Sequence, residues 1–193
     1  KEFWAGYWYY KCFPTVCLTN NNPYIGSRSA LVASIAIHDS GSEVLNGDAI
    51  SGELYIGKAD NSSEHNNGHI YDGHSFGSRP SAMSFYYKFD CHDSPFAAEI
   101  ALYDASGEEI AAGKYTSGTS DVSSWTRAEI PLKYVYTNKK VSKIYIRFVS
   151  SSTGSTASRN LQLNVLNSNG SAMTTENVHA GNVVWLDYVQ LHY

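Results

Sequence analysis

An antiparallel two-sheet β-sandwich of jelly-roll type is the fold class this sequence predicts, and three observations predict it. Apolar residues recur at every second position in short blocks, Gly, Pro, Asn and Ser separate those blocks, and helical periodicity is nearly absent. A strand with one apolar face has to cover that face, and a series of such strands does so by stacking two sheets. An up-and-down barrel is the topological alternative. With 193 residues and 42% hydrophobic content the chain can bury a full core as one domain over 1–193, residues 1–17 being readable as a leading segment from an upstream domain or linker.

The elements follow in order. The N-terminal "FWAGYWYY" gathers Trp4, Tyr7, Trp8, Tyr9 and Tyr10, either as alternating core residues of a first strand (Trp8, Tyr10) or as an exposed platform. Cys12 and Cys17 flank the turn former Pro14 and could close a short disulfide loop; three reduced thiols, Cys91 included, are the alternative. Strands are expected in "ALVASIAIHD" (Ala30 to Asp39), "GELYIGKAD", "SAMSFYYKFD", "AAEIALYDASG", "AEIPLKYVY", "SKIYIRFVSS", "LQLNVLNSNG" and the terminal "NVVWLDYVQLHY". Alternation sends Phe85, Tyr87 and Phe89 one way and Ser84, Tyr86 and Lys88 the other; Ile144, Ile146 and Phe148 oppose Tyr145 and Arg147. Ile100, Leu102, Trp185 and Val189 complete the expected core. Residues 58 to 80 carry so many turn formers that a long ordered loop is expected there, and 150 to 160, "SSSTGSTASRN", reads as a flexible loop over the sandwich.

A net charge of -4, with 14 Lys and Arg scattered along the chain, excludes a nucleic-acid partner, which needs a concentrated positive patch. No stretch approaches the roughly 20 apolar residues needed to span a bilayer. The sequence starts at Lys1, so a signal segment or upstream domain is expected to precede it. Low charge (17%), high aromatic content (13%) and abundant Ser, Thr, Asn and Gly point to a secreted, periplasmic or cell-surface protein.

The chemistry concentrates in a few places. In the terminal run Trp185, Val189, Leu191 and Tyr193 share a face by period two, and Asp187 falls among them; a carboxylate there needs backbone donors at a strand end or a cation, Ca²⁺ being the one its oxygens suit. Asp187 is therefore the candidate metal ligand. His65 and His69 have i, i+4 spacing with His74 beyond, yet Gly68, Gly73 and the paired Asn residues make a poor helix for a zinc site. In "DCHD", Asp90 to Asp93, successive residues point to opposite faces, which favours a solvated turn. The carboxylates Glu53, Glu64, Asp72, Asp90, Asp93 and Glu99 are available to a hydrolase, without a pairing in the sequence, and no nucleophile-elbow, zincin or phosphate-loop spacing occurs. The loop from 58 to 80 offers Asp60, His69, Tyr71, Asp72, His74 and Arg79, and the "SSWTR" turn adds Trp125: groups that stack on a sugar ring and hydrogen-bond its hydroxyls. These are the candidate ligand-binding residues.

The ordered set "FGSRPSAMSFYYKFD", "AAEIALYDASGEEIAAGKY", "WTRAEIPLKYVY", "IYIRFVSSSTG" and "VVWLDYVQLHY" resembles a carbohydrate metabolism domain family found in exported proteins of gut anaerobes. The likeness runs from Leu18 to Tyr193, although "WLDYV" has one Asp where two adjacent acidic residues are common in that family. The resemblance implies a galactose-binding-like jelly roll, related in shape to carbohydrate-binding modules, and an association with glycan use; it implies no catalytic residues. The leading expectation is a non-catalytic carbohydrate-binding module or cell-surface glycan-binding domain whose partner is a glycan or oligosaccharide. A glycoside hydrolase or other glycan-active enzyme is the first alternative, and a structural or adhesive sandwich that positions a partner domain is the second.

Overall fold

The structure, a computed structural model, describes residues 2–4, 7–9, 14–36, 48–59, 71–166, 170 and 172–193. In chain order the strands are β1 (Glu2–Trp4), β2 (Tyr7–Tyr9), β3 (Val16–Thr19), β4 (Ser29–Ile35), β5 (Asp48–Ile50), β6 (Glu53–Ile56), β7 (Lys58–Ala59), β8 (Tyr71–Asp72) and β9 (His74–Ser75). They continue with β10 (Ala82–Asp90), β11 (Ala97–Tyr103), β12 (Glu109–Thr116), β13 (Val122–Pro131), β14 (Lys133–Tyr134), β15 (Lys143–Val149), β16 (Ser155–Ala157), β17 (Arg159–Leu166) and β18 (Met173–His192). One sheet has the order β13-β10-β18-β4-β5-β16, with β3 added on β4 and β17 on β18; the other has β14-β12-β11-β15-β6, with β9 on β15. Every pairing is antiparallel, and β1-β2 and β7-β8 form separate two-stranded ribbons. The molecule is an antiparallel two-sheet β-sandwich.

Period-two patterning builds the core as expected. Phe85, Tyr87 and Phe89 of β10, Ile100 and Leu102 of β11, and Ile144, Ile146 and Phe148 of β15 are all buried between the sheets. The rings meet edge-on, Phe85 with Phe148 at 5.1 Å and 82°, and Tyr87 with Phe96 at 4.9 Å and 62°, the arrangement that the ring quadrupole favours. The Tyr87 and Tyr115 hydroxyls, 2.8 Å apart, satisfy each other at the edge of this core.

The terminal strand departs from strict alternation, because β18 carries two bulges. Tyr86 pairs with Asp187 and Ser84 with Gln190, so β18 holds one extra residue there, and Tyr188 adopts φ 48° to absorb it. The inward face therefore changes parity, from Val184 and Leu186 to Leu191. This corrects the expected core. Trp185 lies on the other face of the sheet, packed against a second cluster, and Val189 is exposed.

The second bulge separates Ala180, opposite Ile35, from Val183, opposite Ala33. It turns the hairpin of β17 and the first half of β18 so that Leu163, Val165, Val178 and Ala180 join Leu31, Ala33, Ile35 and Val183 in a small core on the outer side of the larger sheet. Gly181 is required at this bend: a Cβ there would sit 1.6 Å from Thr156 Oγ1. Asn182, fully buried, donates through Nδ2 to the backbone oxygens of Ser94 and Ser150 and accepts from His92 N at 2.8 Å.

The loop expected over 150 to 160 is not an open flap. Ser150 and Ser151 are buried; Ser150 Oγ lies 2.9 Å from Ser34 Oγ and accepts from Gly52 N, Ser151 Oγ lies 2.8 Å from Ser94 Oγ, and residues 155–157 form β16. Hydroxyls in a Ser-rich stretch satisfy one another in the interior as readily as water satisfies them outside. The expected 58 to 80 loop likewise contributes β7, β8 and β9; residues 60–70 lie outside the described residues.

Candidate functional site

The outer face of β13, β10 and β18 presents an aromatic patch. β10 turns Tyr86 and Lys88 away from the core, and β13 does the same with Trp125, Arg127 and Glu129, since Ala128 and Ile130 take the inward positions. The chain between β3 and β4 folds back over them. Asn22, at φ 56°, and Gly26, at φ 70°, place this turn, and both residue types tolerate the left-handed region. Tyr24 then stacks on Tyr86 with ring centroids 3.7 Å apart and planes at 14°. Trp125 approaches Tyr24 edge-on at 6.2 Å, and Tyr188 completes the group at 6.2 Å from Tyr24 and 6.3 Å from Tyr86. Tyr24 is 40% exposed and Tyr188 46%. A hydrogen bond with Tyr86 raises the Tyr24 phenol above its ordinary pKa.

Asp187 holds the turn in place. Its Oδ2 accepts from Tyr24 N at 2.8 Å and Ile25 N at 3.3 Å, and its Oδ1 accepts from Tyr188 N at 2.7 Å. Of the two roles expected for Asp187, the structure displays the backbone one: N–H dipoles point at the oxygens that a Ca²⁺ ion would need. No group of three or more His, Cys, Asp or Glu side chains that could hold a metal ion occurs among the described residues. Trp125 adds a second tie, donating from Nε1 to Asn22 O at 3.0 Å. Lys88 extends its Nζ between two indoles, 4.8 Å from the Trp125 centroid and 5.6 Å from that of Trp185, and burial lowers its pKa.

The other expected ligand residues do not gather around Trp125. Arg79 donates to Lys139 O and Tyr136 O, both at 2.7 Å, and lies over the Tyr134 ring at 4.4 Å, so it braces the turn after β14. It precedes the Ala82 end of β10, whereas Trp125 lies beyond the Tyr87–Thr126 pair, about five residues and roughly 17 Å along the ribbon. His74 is exposed on β9, which pairs with β15 of the opposite sheet. Tyr71 and Asp72 form β8, of which the described part is the backbone, and Asp60, His69 and His65 lie outside the described residues. Tyr24, Tyr86, Tyr188 and Lys88 were not among the expected site residues. The outward parity of Tyr86 and Lys88 was a usable signal; the placement of Tyr24 depends on a contact 163 positions away in the chain.

Four carboxylates available to a hydrolase, Glu53, Glu99, Asp90 and Asp93, have structural partners. Arg147 donates to Glu53 Oε1 at 2.6 Å and Glu99 Oε2 at 3.5 Å, and Lys114 pairs with Glu99 at 3.0 Å, in a ladder across the outer face of the smaller sheet. Asp90 pairs with Arg159, and Asp93, which is exposed, accepts from Ala157 N, so "DCHD" is a partly exposed turn tied to the start of β17 and the end of β16. Glu64 lies outside the described residues. Cys17 and Cys91 are free thiols; Cys17 donates to Pro14 O, and burial raises its pKa to about 11.

No family model and no curated protein matches the chain. Among solved structures it is similar to an arabinose-bound α-L-arabinofuranosidase, with 12% identity and a TM-score of 0.41, over 92% of this chain and 23% of that one. A second is the enzymatically active domain of bacteriophage CBA120 tailspike protein 4, with 12% identity and a TM-score of 0.39, over 92% of this chain and 18% of that one. The chain thus spans less than a quarter of the length of either. No helix among the described residues is long and apolar enough to cross a membrane.

Proposed function

We propose that the chain is a non-catalytic glycan-binding module whose saccharide platform is the outer face of β13, β10 and β18. The observation that carries this reading is the half-exposed group of Tyr24, Tyr86, Trp125 and Tyr188, held on rigid strands and locked by Asp187. The apolar face of a pyranose stacks on such rings, and phenol hydroxyls can meet its own hydroxyls at the rim. Aromatic residues that served only the fold would be expected inside, where Phe85, Phe89 and Phe96 already are. The resemblance to an exported carbohydrate metabolism domain family, the galactose-binding-like jelly roll it implies and a location outside the cytoplasm are parts of the same proposal. Trp125 serves as a wall of this platform, since its Nε1 is bound to the turn and Lys88 covers one of its faces.

An open sheet face buries only part of a saccharide, so a Kd of roughly 10 µM to 1 mM is expected, raised by avidity where modules are linked. A glycan array with the purified protein identifies the ligand, and calorimetry with Tyr188→Ala and Trp125→Ala tests the platform. Loss of affinity by at least about tenfold in Tyr188→Ala, roughly 1.4 kcal/mol, supports it. Unchanged affinity in both variants moves the site elsewhere. Turnover of the bound glycan would replace the binding module with a glycan-active enzyme.

A further inference from the structure

We infer that the platform selects an anionic saccharide, one carrying a carboxylate or a sulfate ester, and that the Lys88 ammonium meets the anion; this rests on the glycan-binding reading above. Lys88 stands at the Trp125 side of the aromatic patch, two residues beyond Tyr86 on β10, between the indoles of Trp125 and Trp185, and is half-buried. It forms no ion pair with any described carboxylate. Asp187, on the neighbouring strand opposite Tyr86, directs both oxygens at backbone N–H groups, and Glu129 pairs with Arg127.

A ring face attracts a cation without neutralising it. A Met or Leu at position 88 would fill the space between the two indoles without desolvating a charge, so packing alone does not account for a lysine. What the position lacks is a counter-anion. An anionic group on a stacked sugar supplies one, at short range and in surroundings less polar than water, where a charge-assisted hydrogen bond is strengthened. A neutral sugar instead strips water from the ammonium and returns only a hydroxyl. Stacking sets affinity for the ring, and Lys88 sets the preference between charged and uncharged rings.

Two matched pairs of probes test this by calorimetry: an oligogalacturonate against its methyl ester, and a sulfated galactan oligosaccharide against its desulfated form. At least one anionic member is expected to bind roughly tenfold tighter than its neutral counterpart, and that advantage should shrink as salt is raised. The pair that shows the gap distinguishes carboxylate from sulfate. Lys88→Met should bring the anionic member down to the level of the neutral one, while Lys88→Arg keeps the gap. If Lys88→Met does not fold, Lys88→Gln and the salt series on the original protein decide the same point. Equal affinity within both pairs, or a gap that survives Lys88→Met or Lys88→Gln, overturns the anion assignment; if Tyr188→Ala still weakens neutral binding, the platform stands without it. Absence of binding to all four probes overturns both.

Discussion

Asp187 joins the last strand to a turn 163 positions earlier in the chain by way of Tyr24 N, and together with the bond from Trp125 Nε1 to Asn22 O it holds Tyr24 in the aromatic patch. Asp187→Ala leaves Tyr24 N, Ile25 N and Tyr188 N without their acceptor and should destabilise by about 1–3 kcal/mol in urea unfolding. Because three backbone donors point at the carboxylate, a chelator should leave the melting temperature of the original protein unchanged; a fall that Asp187→Asn abolishes would instead assign a cation to this residue. The sequence made it legible that Asp187 needs a partner, since a carboxylate stood in an apolar row. It did not show which partner: the donors are backbone groups of a turn, and nothing in the local pattern of "NNNPYIGS" ties them to position 187. Trp125 was legible as an aromatic able to present a ring, although it lies within β13 and not in the expected turn, whereas the role of Arg79 was not legible. Its guanidinium is held by two carbonyls of the turn after β14, a partner set visible only once the chain is folded.

At the scale of elements, most long strands were legible, bulged ones included, but β12 was missed and the inward face of the bulged β18 was misassigned. In β15, Ile144, Ile146 and Phe148 alternate cleanly and all three are buried. Ile146→Ala should cost about 2–5 kcal/mol, and a loss below about 0.5 kcal/mol would contradict the register of β15. In β12, Ile110 and Ala111 are adjacent and both buried beside a register shift at Leu102 and Tyr103, so period two fails and the pattern does not reveal the strand. Likewise, the extra residue at Tyr188 reverses the face that "WLDYVQLHY" implies. The turn between β11 and β12 makes a separate prediction. Asp104 accepts from Ser106 Oγ at 2.6 Å, Ser106 N at 2.8 Å and Glu108 N at 3.0 Å, and the bond from Ser106 Oγ is the largest cause of its lowered pKa; Lys139 does the same for Glu108. The unfolded carboxylates take up protons first on acidification. The stability these groups contribute is therefore full above the ordinary carboxylate range, near pH 4, and is lost as pH falls through the depressed folded values. Asp104→Asn should flatten the acid limb of a stability–pH curve; an unchanged limb would show that the turn contributes nothing measurable.

For the molecule as a whole, the two sheets have different roles. The smaller one closes the main core and carries the Lys114, Glu99, Arg147 and Glu53 ladder on its outer side. The larger one is covered on part of its outer side by the β17–β18 hairpin and leaves the β13, β10 and β18 part bare, where the aromatic patch lies. The fold class followed from periodicity alone; the position of the patch did not, because it depends on strand order across the sheet and on two bulges in β18. The central claim is that this bare face holds a saccharide, and titration of the isotope-labelled protein with the glycan selected on an array, followed by two-dimensional NMR, tests it most directly. The shifts are expected to concentrate at Tyr24, Tyr86, Lys88, Trp125 with its indole N–H, and Tyr188. Shifts confined to His74, Arg79 or the β17–β18 hairpin, with this face silent, would contradict it.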